Sequence, residues 1–345
     1  MTKILVTGDR GYIGPVLVRK LLDLGHQVVG FDAGYFDDCF LVEPQLDYEQ
    51  ITGDLRDFMD LGLNGFDAII HLAGLSNDPL GEFESSLTEE INFQAAVDLV
   101  KKAKSAGVRR FVYASTQSIY GLSDTEEELD EYKSVKNPLT AYAKTKWMAE
   151  QFIVSQNSEE FQTVCFRPST VFGASPNLRC DIVFNNMVAC AYTTGRIEVK
   201  SDGTPWRPII HVEDVAHAFI AGVVSPFSIV GGESFNVGVP GGNYTVREIA
   251  EAASRAVPGC ELIFTNEHTD PRSYKVSFDR ISTVLKDYFQ PKWTLDDGGR
   301  ELVAYFNAID FTQSMFRGET TNRLAKIRNM VTSGALDANL KLRNR

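Results

Sequence analysis

Two groups of residues in this chain have types and spacings that can do chemistry. The first is Gly8-Asp-Arg-Gly11-Tyr-Ile-Gly14, three glycines three apart, directly after the apolar run Ile4, Leu5, Val6. Such a loop between a strand and a helix lets backbone N–H groups approach a phosphate at the helix N-terminus. The second is Tyr142 and Lys146, four apart at the start of a segment that follows Asn137-Pro138. On a helix these two share a face, so phenol and ammonium can meet one ligand. A tyrosine, with an ordinary pKa of about 10, becomes a usable base only where positive charge stabilises its phenolate. Lys146 and a cationic nicotinamide would supply that charge, and Tyr142 could then take a proton from a substrate hydroxyl.

The elements that must position these groups can be read from periodicity. Val16, Leu17, Leu21, Leu22 and Leu24 recur at helical spacing, Gly25 can cap that helix, and residues 28–31 form a second apolar strand ending in Asp32. An acidic residue about 20 positions past the glycines can hydrogen-bond an adenosine ribose and would repel a 2′-phosphate, which favours NAD over NADP. Further strands are predicted over 50–53, 66–73, 111–115 and 163–166, and helices over 87–106 and 140–154; the first of these helices carries the stripe Leu87, Ile91, Ala95, Leu99, Ala103.

This alternation predicts an α/β fold, a Rossmann-type doubly wound parallel sheet with a smaller C-terminal substrate-binding lobe. Ligands in such sheets sit at the carboxyl ends of the strands. Those ends read Thr7-Gly8, Asp32, Asp54-Leu55, Ala73-Gly74-Leu75-Ser76 and Ser115-Thr116-Gln117-Ser118. The Ala73-Gly74 backbone could line the cofactor, and the hydroxyls after Ser115 would share its rim. Asp54 could accept from the adenine amino group or cap the next short helix.

Beyond Arg167 the alternation fades. Residues 1–167 are expected to form the NAD-binding domain, with 205–228 returning to it, and 168–204 and 229–345 to form the substrate-binding lobe and tail. The tail from 311 carries Arg317, Arg323, Lys326, Arg328, Lys341, Arg343 and Arg345, and is expected to pack on the second lobe or on another subunit. The net charge of -12 argues against nucleic acid or an anionic membrane as partner. Five cysteines without Cys-x-x-Cys spacing suggest neither a disulfide framework nor a metal site, which fits the cytoplasm. No segment approaches the ~20 apolar residues of a membrane span.

Together with His71-Leu-Ala-Gly74, Asn92, Tyr120-Gly121, Arg167-Pro168 and the 207–214 stretch, these motifs give a chain that resembles the extended short-chain dehydrogenase/reductases, in particular the NAD-dependent nucleotide-sugar epimerases and dehydratases. The resemblance implies that Thr116, four before Tyr120, hydrogen-bonds the reacting sugar oxygen, that Tyr142 is the general base, and that Lys146 holds the nicotinamide ribose. It implies cofactor contacts from Gly8, Gly11, Tyr12, Ile13, Gly14, Asp32, Asp54, Leu55, Leu72, Ala73, Gly74, Ser115 and Pro168. It implies substrate contacts from Ser76, Gln117, Ser118, Thr170, Arg179 and Asn185, with Arg207 and Arg272 gripping a diphosphate. His211 and Asp214 are expected to be structural. Members commonly pair through the two long helices, so a homodimer is expected.

Departures narrow the reaction. The 4,6-dehydratases of this group carry Asp-Glu directly after the Thr, and the decarboxylating members place a Glu in the same stretch; here it reads Gln117-Ser118. UDP-galactose 4-epimerase has an Asn within an Arg-Tyr-Phe-Asn run where this chain has Arg167-Pro-Ser-Thr170. The 169–181 text is closer to a branch that includes heptose-nucleotide oxidoreductases. The leading expectation is an epimerase acting at C4 through a transient 4-keto sugar. A 4-dehydrogenase or other net oxidoreductase is the alternative, with a dehydratase or a non-catalytic NAD-binding protein further behind.

Overall fold

Ile4, Leu5 and Val6 are completely buried, and the strand they form lies inside the sheet with a parallel neighbour on each side. The computed structural model describes residues 1–76, 78–122, 127–265, 267 and 273–343. In chain order the first strands are β1 (Lys3–Thr7), β2 (Gln27–Asp32), β3 (Glu49–Thr52), β4 (Ala68–His71), β5 (Arg110–Ala114) and β6 (Gln162–Pro168). They are followed by β7 (Thr170–Phe172), β8 (Arg196–Val199), β9 (Trp206–His211), β10 (Glu233–Val237), β11 (Asn243–Thr245) and β12 (Glu261–Phe264). Seven of them make one sheet in the order β10-β6-β5-β4-β1-β2-β3, every neighbouring pair parallel. The order reverses beside β1, so a crevice opens past the carboxyl ends of β1 and β4.

Side chains alternate across the sheet and bury both faces. Ile4, Val6, Val112 and Phe166 pack under Leu17, Val18 and Leu21 of helix Gly14–Asp23 and under Ala218 and Phe219 of helix Val212–Val224. On the other face Leu5, Ile69, Phe111 and Tyr113 pack under helices Ala95–Ser105 and Ala141–Ser155. A second core, centred on Phe172, Phe184, Ile209, Ile249 and Leu302, holds the smaller lobe together with the sheets β11-β9-β7 and β12-β8.

Three features differ from the sequence expectation. β10 belongs to the central sheet, paired with β6, although 229–345 reads as lobe and tail; a strand of five residues after a long excursion has no local signal of its partner. The helix expected over 87–106 is broken by a π segment, Glu90–Gln94, between Ser85–Glu89 and Ala95–Ser105. The extra residue in that turn lets Asn92 bond Leu75 through both its amide atoms, accepting from N at 2.8 Å and donating to O at 3.1 Å. The tail divides: Phe316 packs in the lobe core, but Ile327, Leu336 and Leu340 bury against Leu75, Leu80, Leu87 and Ile91 of the sheet domain. Among the described residues no helix is long and apolar enough to cross a membrane.

Candidate active site

The β1 turn explains its glycines by contact. A Cβ on Gly8, whose φ is +78°, would lie 2.7 Å from the Ala73 backbone nitrogen, and one on Gly14 would lie 2.2 Å from the Asp9 carbonyl oxygen. Helix Gly14–Asp23 therefore starts tight against the loop, with Pro15 in its first turn, and its N-terminus opens on the crevice. At the end of β2 the Asp32 carboxylate accepts from the Gly34 nitrogen at 2.7 Å, and burial raises its pKa.

One cavity of about 700 Å³ joins these residues to the rim of β5 and to the smaller lobe. Of the expected cofactor contacts, Gly8, Gly11, Tyr12, Ile13, Gly14, Asp32, Asp54, Leu55, Leu72, Ala73, Gly74, Ser115 and Pro168 all line it. So do Thr116, Tyr142 and Lys146, and of the expected substrate contacts Ser76, Gln117, Ser118, Thr170, Arg179 and Arg207.

Helix Ala141–Ser155 presents the tyrosine and lysine. Thr140 caps it, its hydroxyl accepting from the Ala143 nitrogen at 3.1 Å. Gly81 lets it approach, since a Cβ there would meet the Tyr142 Cβ at 2.7 Å. The Tyr142 phenol shares the cavity with the Thr116 hydroxyl, which accepts from the Ser118 nitrogen at 3.1 Å and acts to lower the phenol's pKa. Lys146 Nζ donates to the Ala114 carbonyl at 2.9 Å and lies 4.9 Å from the centre of the Tyr113 ring.

The electrostatics differ from expectation in sign. Burial pushes the Tyr142 phenol up to about 12, against a lowering by the nearby Thr116 hydroxyl and a smaller one by Arg179. Burial pushes Lys146 down to about 8. In the protein by itself the lysine does not produce a phenolate; dehydration drives both groups toward their neutral forms. A cationic nicotinamide is the group whose charge would act in the lowering direction.

Several expected contacts are already engaged by the protein. Asp54 accepts from the Arg56 backbone nitrogen at 2.8 Å and pairs with its guanidinium, the capping alternative, while still lining the cavity. Ser115 donates to Glu150 at 2.5 Å. Gln117 donates to the Arg167 carbonyl at 3.0 Å and to Ser169 Oγ at 3.1 Å. Arg179 pairs with Asp181 at 2.8 Å and donates to Ser76 at 3.2 Å.

Asn185 does not reach the cavity: fully buried, it donates to the Arg179 carbonyl at 2.9 Å and to Tyr12 Oη at 3.1 Å, and accepts from the Gly173 nitrogen at 3.0 Å. Its role is to brace Arg179 and Tyr12, because its amide has no remaining face toward a ligand. Arg272 lies outside the described residues. His211 caps helix Val212–Val224, accepting from the Glu213 nitrogen at 3.2 Å, and Asp214 accepts from the nitrogens of Lys292 and Trp293.

The cavity also gathers residues that the sequence did not single out: Tyr35, Phe36, Asp78, Asp181, Tyr274 and Arg323. They come from distant segments with no shared motif, so no spacing could have announced them.

The model of the NAD dependent epimerase/dehydratase family matches residues 4–238. The chain belongs to this family. A UDP-glucose 4-epimerase of Mycolicibacterium smegmatis is 29% identical over 325 residues, 88% of this chain and 98% of that enzyme. A 3-beta-hydroxysteroid dehydrogenase of Mycolicibacterium neoaurum is 31% identical over 233 residues, 63% of this chain, and the match spans 60% of that enzyme's length. The structure of MoeE5 in complex with UDP-glucuronic acid and NAD superposes with a TM-score of 0.74 at 26% identity, covering 89% of this chain and 99% of that chain.

The cofactor of the family is NAD, and the residues present fit it. The N-terminus of helix Gly14–Asp23, which opens on the cavity, suits a diphosphate, and the carboxylate of Asp32 at the end of β2 suits a ribose diol.

Proposed function

We propose that the chain is an NAD-dependent nucleotide-sugar epimerase acting at C4. The observation that carries this reading is the gathering of Tyr142, Thr116 and Lys146 in one cavity with two arginines, Arg179 and Arg207. Guanidinium groups suit the diphosphate of a nucleotide sugar and have no counterpart on a neutral steroid. The full-length match to a UDP-glucose 4-epimerase supports the same class.

NAD, when bound, supplies a reversible hydride acceptor. Thr116 holds the reacting hydroxyl and Tyr142 draws its proton, leaving a transient 4-keto sugar. Lys146 fixes the nicotinamide ribose, while Arg179 and Arg207 keep the nucleotide bound as the ketose turns over. With the opposite face of the C4 carbonyl turned toward the hydride position, the phenol returns the proton to the C4 oxygen. Gln117, where the related dehydratases carry an acid, spends its amide on Arg167 and Ser169, which supports a route without loss of water. Replacing Tyr142 by Phe should lower turnover roughly 10²-fold or more while leaving the fold intact. Near-full turnover of that variant would refute the reading.

A net oxidoreductase on a hydroxylated substrate is the second reading, favoured by the identity to the steroid dehydrogenase. It begins with the same proton transfer and differs only in releasing the ketone. We place the protein in the cytoplasm, where its five unpaired cysteines would stay reduced. We also infer a homodimer through the adjacent helices Ala95–Ser105 and Ala141–Ser155; native mass spectrometry showing only monomer at micromolar concentration would contradict it.

A further inference from the structure

The C-terminal segment lies beyond the residues matched by the family model, and it closes one side of the cavity. After helix Gln313–Arg317 it passes the smaller lobe, where the Cys180 nitrogen donates to the Thr321 carbonyl at 2.9 Å. Helix Arg323–Thr332 then returns over the sheet domain. The segment is fastened there by several polar bonds besides its apolar face. Arg56 donates to the Asn339 carbonyl at 2.7 Å, Lys341 pairs with Asp57 at 2.8 Å, and Lys326 pairs with Asp38 at 2.5 Å. Asn322, Arg323 and Leu324 consequently line the cavity together with Asp32, Tyr35 and Phe36.

Arg323 is the residue that asks for a ligand. It is only 2% exposed. Nη2 donates to the Asn177 carbonyl at 3.0 Å and to its side-chain oxygen at 2.5 Å, and the guanidinium stacks 4.3 Å from the Phe36 ring centre. Nη1 has no hydrogen-bond partner, and no carboxylate lies within 4.0 Å of the guanidinium among the described residues. A buried cation without a counter-charge is unfavourable unless an anion completes it. Burial first, and the neighbouring Arg179 charge second, bring its pKa down to about 10, with Cys39, Asp181 and Asp32 acting in the opposite direction. Arg323 lines the same cavity as Asp32 and the glycine loop, so an anion held at the loop shares that cavity with it.

We infer that the C-terminal segment is a wall of the cofactor site and that Arg323 pairs with the diphosphate of bound NAD, opposite the glycine loop. The inference rests on NAD occupying this cavity. It makes Arg323 a binding residue for the phosphates.

Calorimetric titration of wild type, Arg323→Gln and Arg323→Lys with ADP-ribose, adenosine and UDP tests it. The Gln variant should bind ADP-ribose roughly tenfold to a hundredfold more weakly, the loss of a charge-assisted bond, with adenosine and UDP unchanged and the Lys variant intermediate. Equal loss of ADP-ribose and adenosine would make Arg323 a structural brace, loss confined to UDP would move it to the substrate side, and no loss would remove it from binding; each overturns the inference. Wild type that fails to bind ADP-ribose would instead overturn the underlying reading of the cavity. Should Arg323→Gln not fold, hydrogen exchange on wild type decides: ADP-ribose should slow exchange across 323–332, and an unchanged rate contradicts the inference.

Discussion

Glu150 and Arg167 form a buried ion pair, Nη2 to Oε1 at 2.5 Å, with 1% and 3% of the two side chains exposed. Glu150 also accepts from Ser115 and Ser234, and Arg167 donates to the Tyr120 hydroxyl at 3.0 Å. The pair thus ties β5, β6 and β10 together directly behind Thr116. Removing one partner leaves an uncompensated buried charge, so Glu150→Ala should destabilise the protein by about 3–5 kcal/mol in urea unfolding. A loss below about 1 kcal/mol would mean that the pair is not buried as described.

Asp9 sits behind the glycine loop, accepting from the Tyr48 hydroxyl at 2.8 Å through one oxygen, while its other oxygen has no partner among the described residues. Burial first, and the Asp32 charge second, push its pKa up to about 7. The folded carboxyl therefore keeps a proton that the unfolded chain releases near pH 4, and stability falls as pH rises from 4 to 7. Asp9→Asn, which retains an acceptor for Tyr48, should raise stability at pH 8 by about 1–4 kcal/mol and leave it nearly unchanged at pH 4. Melting curves at the two pH values check this, and equal shifts at both would contradict it.

Lys146 gives the opposite sign. Its folded pKa of about 8 is below the ordinary 10.5, so between those values the unfolded chain holds a proton the folded one has lost. Stability of wild type relative to Lys146→Met should rise by about 1–3 kcal/mol from pH 7.5 to 10.5. Parallel urea titrations with no relative change would show that the ammonium is solvated.

Thr116 acts on Tyr142 in the direction that opposes the raised phenol pKa. Thr116→Ala should lower kcat about tenfold or more and move the limb of the pH profile that reports Tyr142 to higher pH, with Thr116→Ser restoring both. A lower kcat with an unmoved profile would assign Thr116 to substrate contact alone.

Much of this molecule is legible locally. The glycine spacing, the period of the Leu17 and Leu21 face, and the polar strand ends each carry their structural meaning within about 30 residues, the span of one βαβ unit. The parallel pairing of the sheet follows because parallel strands must be joined by covering helices. What was not legible depends on partners far away in sequence. β10 finds β6 across the smaller lobe, Asn185 turns from the cavity to brace Tyr12, and Arg323 reaches Asn177 and Phe36 from a basic tail that looked merely charged. The sign of the Tyr142 shift was hidden for the same reason, since spacing places Lys146 beside it but does not report how little water either group retains.

The most direct test of the proposed reaction is proton NMR of the purified protein with a catalytic amount of NAD and a panel of UDP-, GDP- and dTDP-sugars, following the anomeric signals over time. An epimerase predicts a new hexose signal that grows well beyond the NAD present, with no ketone accumulating. Conversion that stops at one equivalent of NAD and leaves a 4-keto sugar would contradict it and establish the net oxidoreductase.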